Sequence, residues 1–406
     1  KLVSLGATVK LEDIGTQKLS DDTEISLPPL LIGELGNDVH KKTVLIYGHL
    51  DVQPASKSDG WDTEPFELVC KDDKLYGRGS TDDKGPVLAW FHAIEAFQKL
   101  EMDIPINLKF CLEGMEESGS EGLEQYLIHN PSLFNNVDFI CISDNYWIGT
   151  KTPCVTVGLR GMCYFFVNIE CSDRDLHSGS FGGTVYEAMT DLMKVMSTLV
   201  TNQGHINIEG VYDDVHVLSE KEKSFFAKID EFNLEDYKKE AGIYKVIQDN
   251  PAEVLMARSV IPSLSLHGIE GAFSGVGSKT DPVKIEQQVV RHINKEFSKL
   301  SSPNKLTVSM QHGARAWSTD IEGPHAKAAV DAIKSVFNVE PFFTMEGGSI
   351  PITLTFEDVS KKSVLLLPIG ASDDGEHSQN EKINVYNYIN GIKLFCSYMN
   401  EMSKIA

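Results

Sequence analysis

The sequence lacks two features that membrane or nucleic-acid proteins commonly have. It contains no unbroken apolar run of the roughly 18 residues that a membrane-spanning helix needs. Basic residues are few, because 37 Lys and Arg stand against 59 Asp and Glu, for a formal net charge of −22. Such a charge repels nucleic-acid phosphates and anionic lipids. We therefore expect neither a nucleic acid nor a membrane as a partner.

Cysteine is scarce, and its pattern argues against disulfide bonds. The seven cysteines are an odd number, and no two of them form a C-x-x-C pair. A chain of 406 residues can bury a large core without such cross-links. These features predict free thiols and a cytoplasmic location. Residues 1–6 lack an initiator Met, so we expect the natural chain to begin further upstream.

Apolar runs and helical periodicity predict an α/β fold. Four runs predict buried strands of a parallel or mixed sheet: residues 43–48, 106–112, 139–143 and 364–368. A further apolar run at 351–355 predicts another strand. Between the first two runs, apolar residues recur at spacings of three and four after Pro86, which predicts a helix with Pro86 at its first position. Strands that alternate with helices indicate a sheet covered by helices.

The middle of the chain has a different pattern. Residues 162–171 predict a long strand, and residues 220–242 predict a helical stretch in which Lys and Glu are interspersed. Strand signals typical of the first part return after residue 350. We therefore predict a first domain that a second, more exposed domain interrupts.

Residue types that bind metals follow each predicted strand. His49 and Asp51 follow the first run, Glu116 and Glu117 the second, Asp144 the third, and Asp373, Asp374 and His377 the fourth, while Asp82 and Asp83 lie in the glycine-rich stretch 77–85. Ligands of open α/β sheets bind beyond the carboxyl ends of the strands. The convergence of these histidines and acids at one edge of one sheet predicts a metal site there.

The residue types in this set favour two divalent ions. Imidazole and carboxylate ligands without a thiolate suit Zn²⁺, Mn²⁺ or a similar ion. Two histidines and at least three acids exceed the needs of one ion, and a bridging carboxylate can hold two ions about 3.5–4 Å apart. Asp51 lies two residues after His49 in extended chain, so it can orient a ligand. Glu116 and Glu117 diverge, so that one can bind metal while the other acts as a general base. The sequence predicts a two-metal hydrolase.

Long sequence motifs resemble a known family, the two-metal aminopeptidase-like peptidases that include the cytosolic nonspecific dipeptidases and carnosinases. The motifs are Y-G-H-L-D-V-Q-P (47–54), L-Y-G-R-G-S-T-D-D-K-G-P (75–86), L-E-G-M-E-E-S-G-S-E-G (112–122), I-S-D-N-Y-W (142–147), D-L-H-S-G (175–179), P-S-L-S-L-H-G-I-E-G-A-F-S-G (262–275), E-G-G-S-I-P (346–351) and H-S-Q-N-E-K (377–382). They cover nearly the whole chain.

The resemblance implies a set of five metal ligands. His49 and Asp144 would bind one ion, Glu117 and His377 the other, and Asp82 would bridge the two. The ions would be Mn²⁺ or Zn²⁺, because this ligand set does not separate them.

The resemblance also implies catalytic and substrate-binding residues. Asp51 would be the catalytic carboxylate behind the ligands, and Glu116 the general base. Four residues would contact substrate: His177, which would reach into the site of a partner subunit, with Thr280, His312 and Ser349. A homodimer is therefore expected.

The fold implied by the resemblance is an α/β, mixed-sheet two-metal catalytic domain with an inserted α+β lid and dimerisation domain. We place the catalytic domain at residues 1–160 and 321–406, and the lid at residues 161–320. The implied activity is hydrolysis of dipeptides with broad specificity, including Cys-Gly, and hence a role in glutathione turnover.

Alternatives stay open at this point. The substrate could be another small amide, such as β-alanyl-His or an N-acyl amino acid. The family's carboxylate-binding Arg is expected in a stretch after Thr280, where this chain continues directly with Asp281 and Pro282. An inactive dimerisation module is disfavoured by the filled ligand and acid positions, and a two-metal phosphoesterase by the acidic charge and the scarcity of Arg near the motifs.

Overall fold

The computed structural model describes residues 1–19, 22–215, 217–227, 229, 232–240, 242–268, 283–346, 350 and 352–405. The chain divides into two compact units, of which one comprises Lys1–Leu159 with Trp317–Ala406 and the other Arg160–Ala316. The catalytic and lid roles predicted for these parts of the chain stay predictions. Among the described residues, no helix is both long and apolar enough to cross a membrane.

The strands of the described residues follow in chain order. They are β1 (Thr8–Glu12), β2 (Thr16–Lys18), β3 (Glu24–Ser26), β4 (Leu30–Leu35), β5 (Thr43–His49), β6 (Val69–Lys71), β7 (Lys74–Tyr76), β8 (Asn107–Glu113), β9 (Phe139–Ile142), β10 (Cys154–Leu159), β11 (Met162–Glu170), β12 (Lys305–Ala314), β13 (Trp317–Ser318), β14 (Phe342–Glu346), β15 (Ser363–Leu366) and β16 (Lys382–Asn384).

The helices of the same residues are α1 (Lys84–Lys99), α2 (Leu123–His129), α3 (Ser178–Phe181), α4 (Ala188–Met196), α5 (Glu220–Ala227), α6 (Leu234–Glu240), α7 (Pro251–Ser259), α8 (Val283–Lys299), α9 (Pro324–Phe337), α10 (Ile352–Ser360) and α11 (Val385–Met402). Short 3₁₀ turns occupy Val3–Leu5, Lys57–Asp59, Glu116–Ser118 and Pro131–Phe134.

A mixed sheet forms the centre of the first unit. Over the described residues it has nine strands in the order β1-β4-β8-β5-β9-β15-β10-β13, with β14 pairing β10. Strands β8, β5, β9 and β15 run parallel to one another, whereas β1, β4 and β13 pair antiparallel with their neighbours. The predicted α/β class with a mixed sheet is confirmed.

The central strand β5 is buried on both faces, as its continuous apolar run predicts. Val44 and Ile46 pack in a core with α1, α9 and α11. Leu45 and Tyr47 point the other way, into a core with α2 and α10. Helices therefore cover both sides of the sheet.

The four predicted strands at 43–48, 106–112, 139–143 and 364–368 are confirmed within one or two residues at each end. The strand predicted at 351–355 is wrong, because the structure has helix α10 there. Ile352, Thr353 and Phe356 are buried at the spacing of one helix face, and so short an apolar run does not distinguish a strand from a buried helix. Helix α1 also begins earlier than predicted, at Lys84, so Pro86 occupies its third position.

The described residues of the second unit include a two-stranded antiparallel sheet. Strands β11 and β12 pair along their length, and α4 and α8 pack against them. Their shared core includes Val195, Leu199 and Ile293. Within the charged stretch at 220–242, the described residues include two short helices, α5 and α6, as the predicted helical pattern indicates.

The parallel strands of the first unit bring their carboxyl ends to one edge of the sheet. His49 is the last residue of β5, Glu113 ends β8, and Asp144 follows two residues after β9. The segment after β15 contains His377. Residues far apart in sequence therefore meet at this edge, as the order of predicted strands indicates.

Candidate metal centre

A first group of possible ligands surrounds His49. Its Nε2 atom lies 3.0 Å from Oδ1 of Asp82 and 3.6 Å from Oδ1 of Asp144. The His49 side chain is fully buried. The ligand atoms of these three residues lie within 4.8 Å of one another, a spacing that one metal ion can bridge.

A second group is centred on His377 and shares Asp82 with the first. The Nε2 atom of His377 lies 3.0 Å from Oδ2 of Asp82 and 3.0 Å from Oε2 of Glu117. One oxygen of Asp82 thus faces each histidine. A carboxylate in this position is suited to bridging two ions.

The negative charge of the carboxylates in both ligand groups favours bound cations. Although burial opposes it, the carboxylates of Asp144, Asp51 and Asp82 hold the pKa of His49 well above its usual value. Hydrogen bonds with Asp82 and Glu117 raise the pKa of His377 to about 10. Each imidazole is thus stabilised as a cation by the acids around it, and a divalent ion bound by the same atoms would replace that positive charge.

The carboxylates also crowd one another. Burial and the charge of Asp144 raise the pKa of Glu116 well above its usual value. Burial likewise raises the pKa of Asp144, although His49 opposes the shift. The donor set and this surplus of negative charge both fit two divalent ions, held by His49, Asp144, Asp82, Glu117 and His377.

Asp51 contacts both the first histidine and the turn that holds the glutamates. Nδ1 of His49 lies 3.0 Å from the backbone carbonyl oxygen of Asp51 and 3.4 Å from its Oδ1 atom. The Asp51 carboxylate accepts hydrogen bonds from the backbone amides of Glu116, at 3.3 Å, and Glu117, at 3.0 Å. Although burial opposes it, His49 and the backbone amide of Glu117 lower the pKa of Asp51. Asp51 therefore stays ionised while it orients both neighbours.

Glu116 and Glu117 diverge, as their adjacent positions predict. Both lie in the 3₁₀ turn after β8. Glu117 faces His377, whereas Glu116 is in neither ligand group. This arrangement leaves Glu116 beside the centre and available for proton transfer.

Sequence reasoning missed Gln53 and Glu381. The backbone amide and side-chain amide of Gln53 donate to the two oxygens of Glu117, at 2.9 and 2.8 Å. Glu381 accepts hydrogen bonds from the loop that contains Asp82. Both residues lie inside the motifs that resemble the family, but residue type alone does not indicate which neighbours they bind.

Asp373 and Asp374 follow β15 but belong to neither ligand group. Nζ of Lys382 lies 2.6 Å from Oδ1 of Asp373 and 2.5 Å from Oδ1 of Asp374. Asp83 is also outside the groups, and its Oδ2 atom accepts the backbone amide of His49 at 3.3 Å. Asp373 and Asp374 thus pair with Lys382, and Asp83 supports the backbone of β5.

The four predicted substrate contacts are only partly described. His177 is exposed at the start of α3 in the second unit, where its Nδ1 atom accepts the amide of Gly179 at 3.1 Å. His312 lies in β12, but its side chain is outside the described part of the structure, as are Thr280 and Ser349. Their roles stay predictions.

Comparisons with known proteins agree with the resemblance. The family described as Peptidase family M20/M25/M40 matches residues 45–401. The Beta-Ala-His dipeptidase of Rattus norvegicus is 46% identical over 424 residues, covering 100% of this chain and 86% of the relative. The Cys-Gly metallodipeptidase of Candida albicans is 49% identical over 427 residues, with 100% and 88% covered. The crystal structure of human carnosine dipeptidase 1 superposes with a TM-score of 0.90 at 45% identity, with 100% and 88% covered. This chain belongs to peptidase family M20/M25/M40.

Proposed function

We propose that this chain is a metal-dependent dipeptidase of broad specificity, and that Cys-Gly is among its substrates. The observation that supports this most directly is the shared carboxylate of Asp82, which faces His49 with one oxygen and His377 with the other. Relatives at 46% and 49% identity bear the names Beta-Ala-His dipeptidase and Cys-Gly metallodipeptidase. Both names describe cleavage of a bond between two amino acids.

The proposed cofactor is a pair of divalent ions, Mn²⁺ or Zn²⁺. When bound, such ions polarise a carbonyl group and make water a stronger nucleophile at neutral pH. His49 and Asp144 would hold one ion and Glu117 and His377 the other, with Asp82 between them.

The chain's own acids would then manage the protons. Glu116, outside both ligand groups, takes a proton from the attacking water and donates it to the nitrogen of the leaving amine. Asp51 holds His49 and the backbone of the Glu116–Glu117 pair in place for that transfer.

The proposal also covers the second unit and the location and role of the protein in the cell. We assign residues 1–160 and 321–406 to catalysis and residues 161–320 to a lid through which two copies form a homodimer. His177 would enter the partner's site and stabilise the oxyanion, and Thr280, His312 and Ser349 would contact substrate. We also propose a role in glutathione turnover, which Cys-Gly as a substrate implies, and a cytoplasmic location.

A β-alanyl dipeptide is the second candidate substrate, because the relative from Rattus norvegicus is named for β-Ala-His. In β-Ala-His the amino-terminal residue has one more backbone methylene than in Cys-Gly and lacks the thiol side chain, and the carboxy-terminal residue is larger. The catalytic chemistry is the same for both, so a substrate panel is needed to rank them.

The test is steady-state hydrolysis by the full chain, stripped of metal and supplied with Mn²⁺ or Zn²⁺. The panel contains Cys-Gly, β-Ala-His and an N-acetyl amino acid, with Glu116→Ala as the control. Metal-dependent cleavage of Cys-Gly that collapses in the control is the expected result. Cleavage of the N-acetyl amino acid alone would replace the dipeptidase proposal with an acylase. Two bound ions without turnover of any substrate would contradict the proposed activity.

A further inference from the structure

The carboxylate of Glu381 is the hub of a buried hydrogen-bond cluster beneath the candidate centre. Its side chain is fully buried. Oε1 accepts the backbone amides of Thr81, at 2.9 Å, and Asp82, at 3.2 Å. Oε2 accepts the backbone amide of Gly79, at 3.0 Å, and Nη1 of Arg78, at 2.9 Å. One carboxylate thus binds four donors from a single loop.

The loop that contains Asp82 has no strand or helix to bind these amides. Buried backbone amides need acceptors, and here Glu381 supplies them. A carboxylate suits this task because it accepts through both oxygens and donates through neither. Hydrogen bonds to a charged acceptor are also stronger than those between neutral groups. The position of the Asp82 backbone therefore depends on Glu381.

Arg78 supplies the positive charge that a buried carboxylate needs. Its side chain is 4% exposed, and its guanidinium lies over the ring of Trp61, with 5.3 Å to the ring centroid. The contact of its Nη1 atom with Glu381 compensates the two buried charges better than either would be alone. The cluster is therefore part of the buried structure rather than a surface contact.

Glu381 also lies on the same segment as His377, four residues further along the chain. A second contact joins the two segments, because Oγ1 of Thr81 donates to Oδ2 of Asp374 at 2.9 Å. The segment that provides His377 thus also holds the loop that provides Asp82. Any shift of this segment relative to the loop changes the distance between the two ligands.

We infer that Glu381 is a positioning residue that orients Asp82 towards both histidines and thereby couples the two metal sites. This inference rests on the metal sites of the proposed function. Because Asp82 is common to both groups, a displaced Asp82 weakens both sites together, whereas loss of a ligand from one group weakens that group. If Glu381 had a merely structural role, its loss would not weaken metal binding at the two sites together.

The test compares E381Q with the parent chain and with D138N. In E381Q, the side-chain NH₂ group replaces one acceptor and faces backbone amides. Asp138 is a matched control, because its Oδ2 atom accepts the amide of Thr43, at 2.8 Å, at the opposite end of β5. Binding of Mn²⁺ and Zn²⁺ to each metal-free protein is measured by calorimetry, and the rise in Tm on metal addition is measured alongside.

We expect E381Q to bind both ions at least about 10-fold more weakly and to lose most of the metal-induced rise in Tm. D138N should keep both affinities even if its Tm is lower. Unchanged affinity in a folded E381Q, or weakening of one ion alone, would overturn the inference.

A second variant keeps the test decisive if E381Q does not fold. Glu381→Asp keeps the charge of the carboxylate but shortens the side chain by one methylene, so it reaches fewer of the four donors, and both affinities should fall together by a smaller factor. No change in either affinity would then overturn the inference. Metal binding is measured without substrate, so a chain that binds two ions but cleaves no dipeptide would contradict the proposed activity and leave the positioning role standing. A parent chain that binds no ion would overturn both.

Discussion

The backbone amide of Glu117 donates a hydrogen bond to Oδ2 of Asp51, with 3.0 Å between the two atoms. Asp51 follows β5 and Glu117 follows β8, so this contact joins the ends of two adjacent strands. It sets the direction of the turn in which Glu116 and Glu117 lie.

Replacement of Asp51 tests that contact. Asp51→Asn places an NH₂ group against a backbone amide and removes the charge near His49. We expect a loss of about 10–100-fold in kcat/KM or in metal affinity, as for other residues that support metal ligands. Steady-state kinetics and calorimetry measure the two quantities. Asp59→Asn is the control, because Asp59 accepts the amide of Ser56 in a comparable but exposed 3₁₀ turn. Equal effects of the two variants would contradict the prediction.

The shared position of Asp82 predicts an unequal effect of single substitutions on metal content. Asp82→Ala removes a ligand from both groups, so we expect both ions to be lost. His377→Ala removes a ligand from the second group, so we expect one ion to remain. Metal content after dialysis, measured by mass spectrometry, gives the two stoichiometries. Asp331→Asn, on the exposed surface of α9, should keep both ions. Retention of one ion by the Asp82 variant would argue against a bridging role.

Glu116 should be required for turnover and dispensable for metal binding. Glu116→Gln keeps the shape of the side chain but cannot accept a proton from water. General-base catalysis contributes about 10²–10⁴-fold, and we expect a loss of kcat of that order. Metal content should stay at the parent level, because Glu116 is in neither ligand group. Glu121→Gln, exposed on the same loop, is the matched control. A variant with normal kcat would remove Glu116 from the mechanism.

Acid should destabilise the first unit through His325. This histidine is buried at the start of α9, with Ser363 Oγ 3.1 Å from Nδ1 and the Tyr398 hydroxyl 2.6 Å from Nε2. Burial lowers the pKa of His325 to about 3. The unfolded chain takes up a proton near its usual pKa of about 6.5, while the folded chain does not. The contribution of neutral His325 is therefore fully present above about pH 6.5 and is lost as the pH falls towards 3, by up to about 1.4 kcal/mol per pH unit.

The measurement is the free energy of unfolding of the parent chain and of His325→Gln, with metal chelated, at pH 7 and pH 5. The variant should be less stable at pH 7, because the Ser363 and Tyr398 hydroxyls lose well-placed partners. The difference between the two proteins should shrink at pH 5, since only the parent has this histidine to protonate on unfolding. A difference that is the same at both pH values would contradict the prediction.

Local pattern predicts much of the first unit. The runs that form β5, β9 and β15 are apolar on both faces and the run that forms β8 alternates, so the burial and the parallel pairing of these strands follow from the sequence. Helix α10 was not predicted, because Ile352 to Phe356 has too few turns to reveal a helical period. The ring of Phe356 in this helix packs against Tyr47 and Phe134 from other elements, contacts that a local pattern does not indicate.

The sequence by itself determined the chemistry of the candidate centre: histidines and carboxylates, without a thiolate, at the ends of strands that meet at one edge. Residue types alone did not distinguish Asp82 from its neighbour Asp83, because both have the same side chain in the same loop, and only the resemblance to the family indicated Asp82. The tertiary structure decided that Asp82 faces both histidines while Asp83 binds the backbone of β5. It likewise directed Asp373 and Asp374 to Lys382 and made Glu381 the acceptor for the Asp82 loop. The contacts of Asp82 with His377 and of Glu381 with the Asp82 loop join segments about 300 residues apart, which packing establishes and local pattern does not encode.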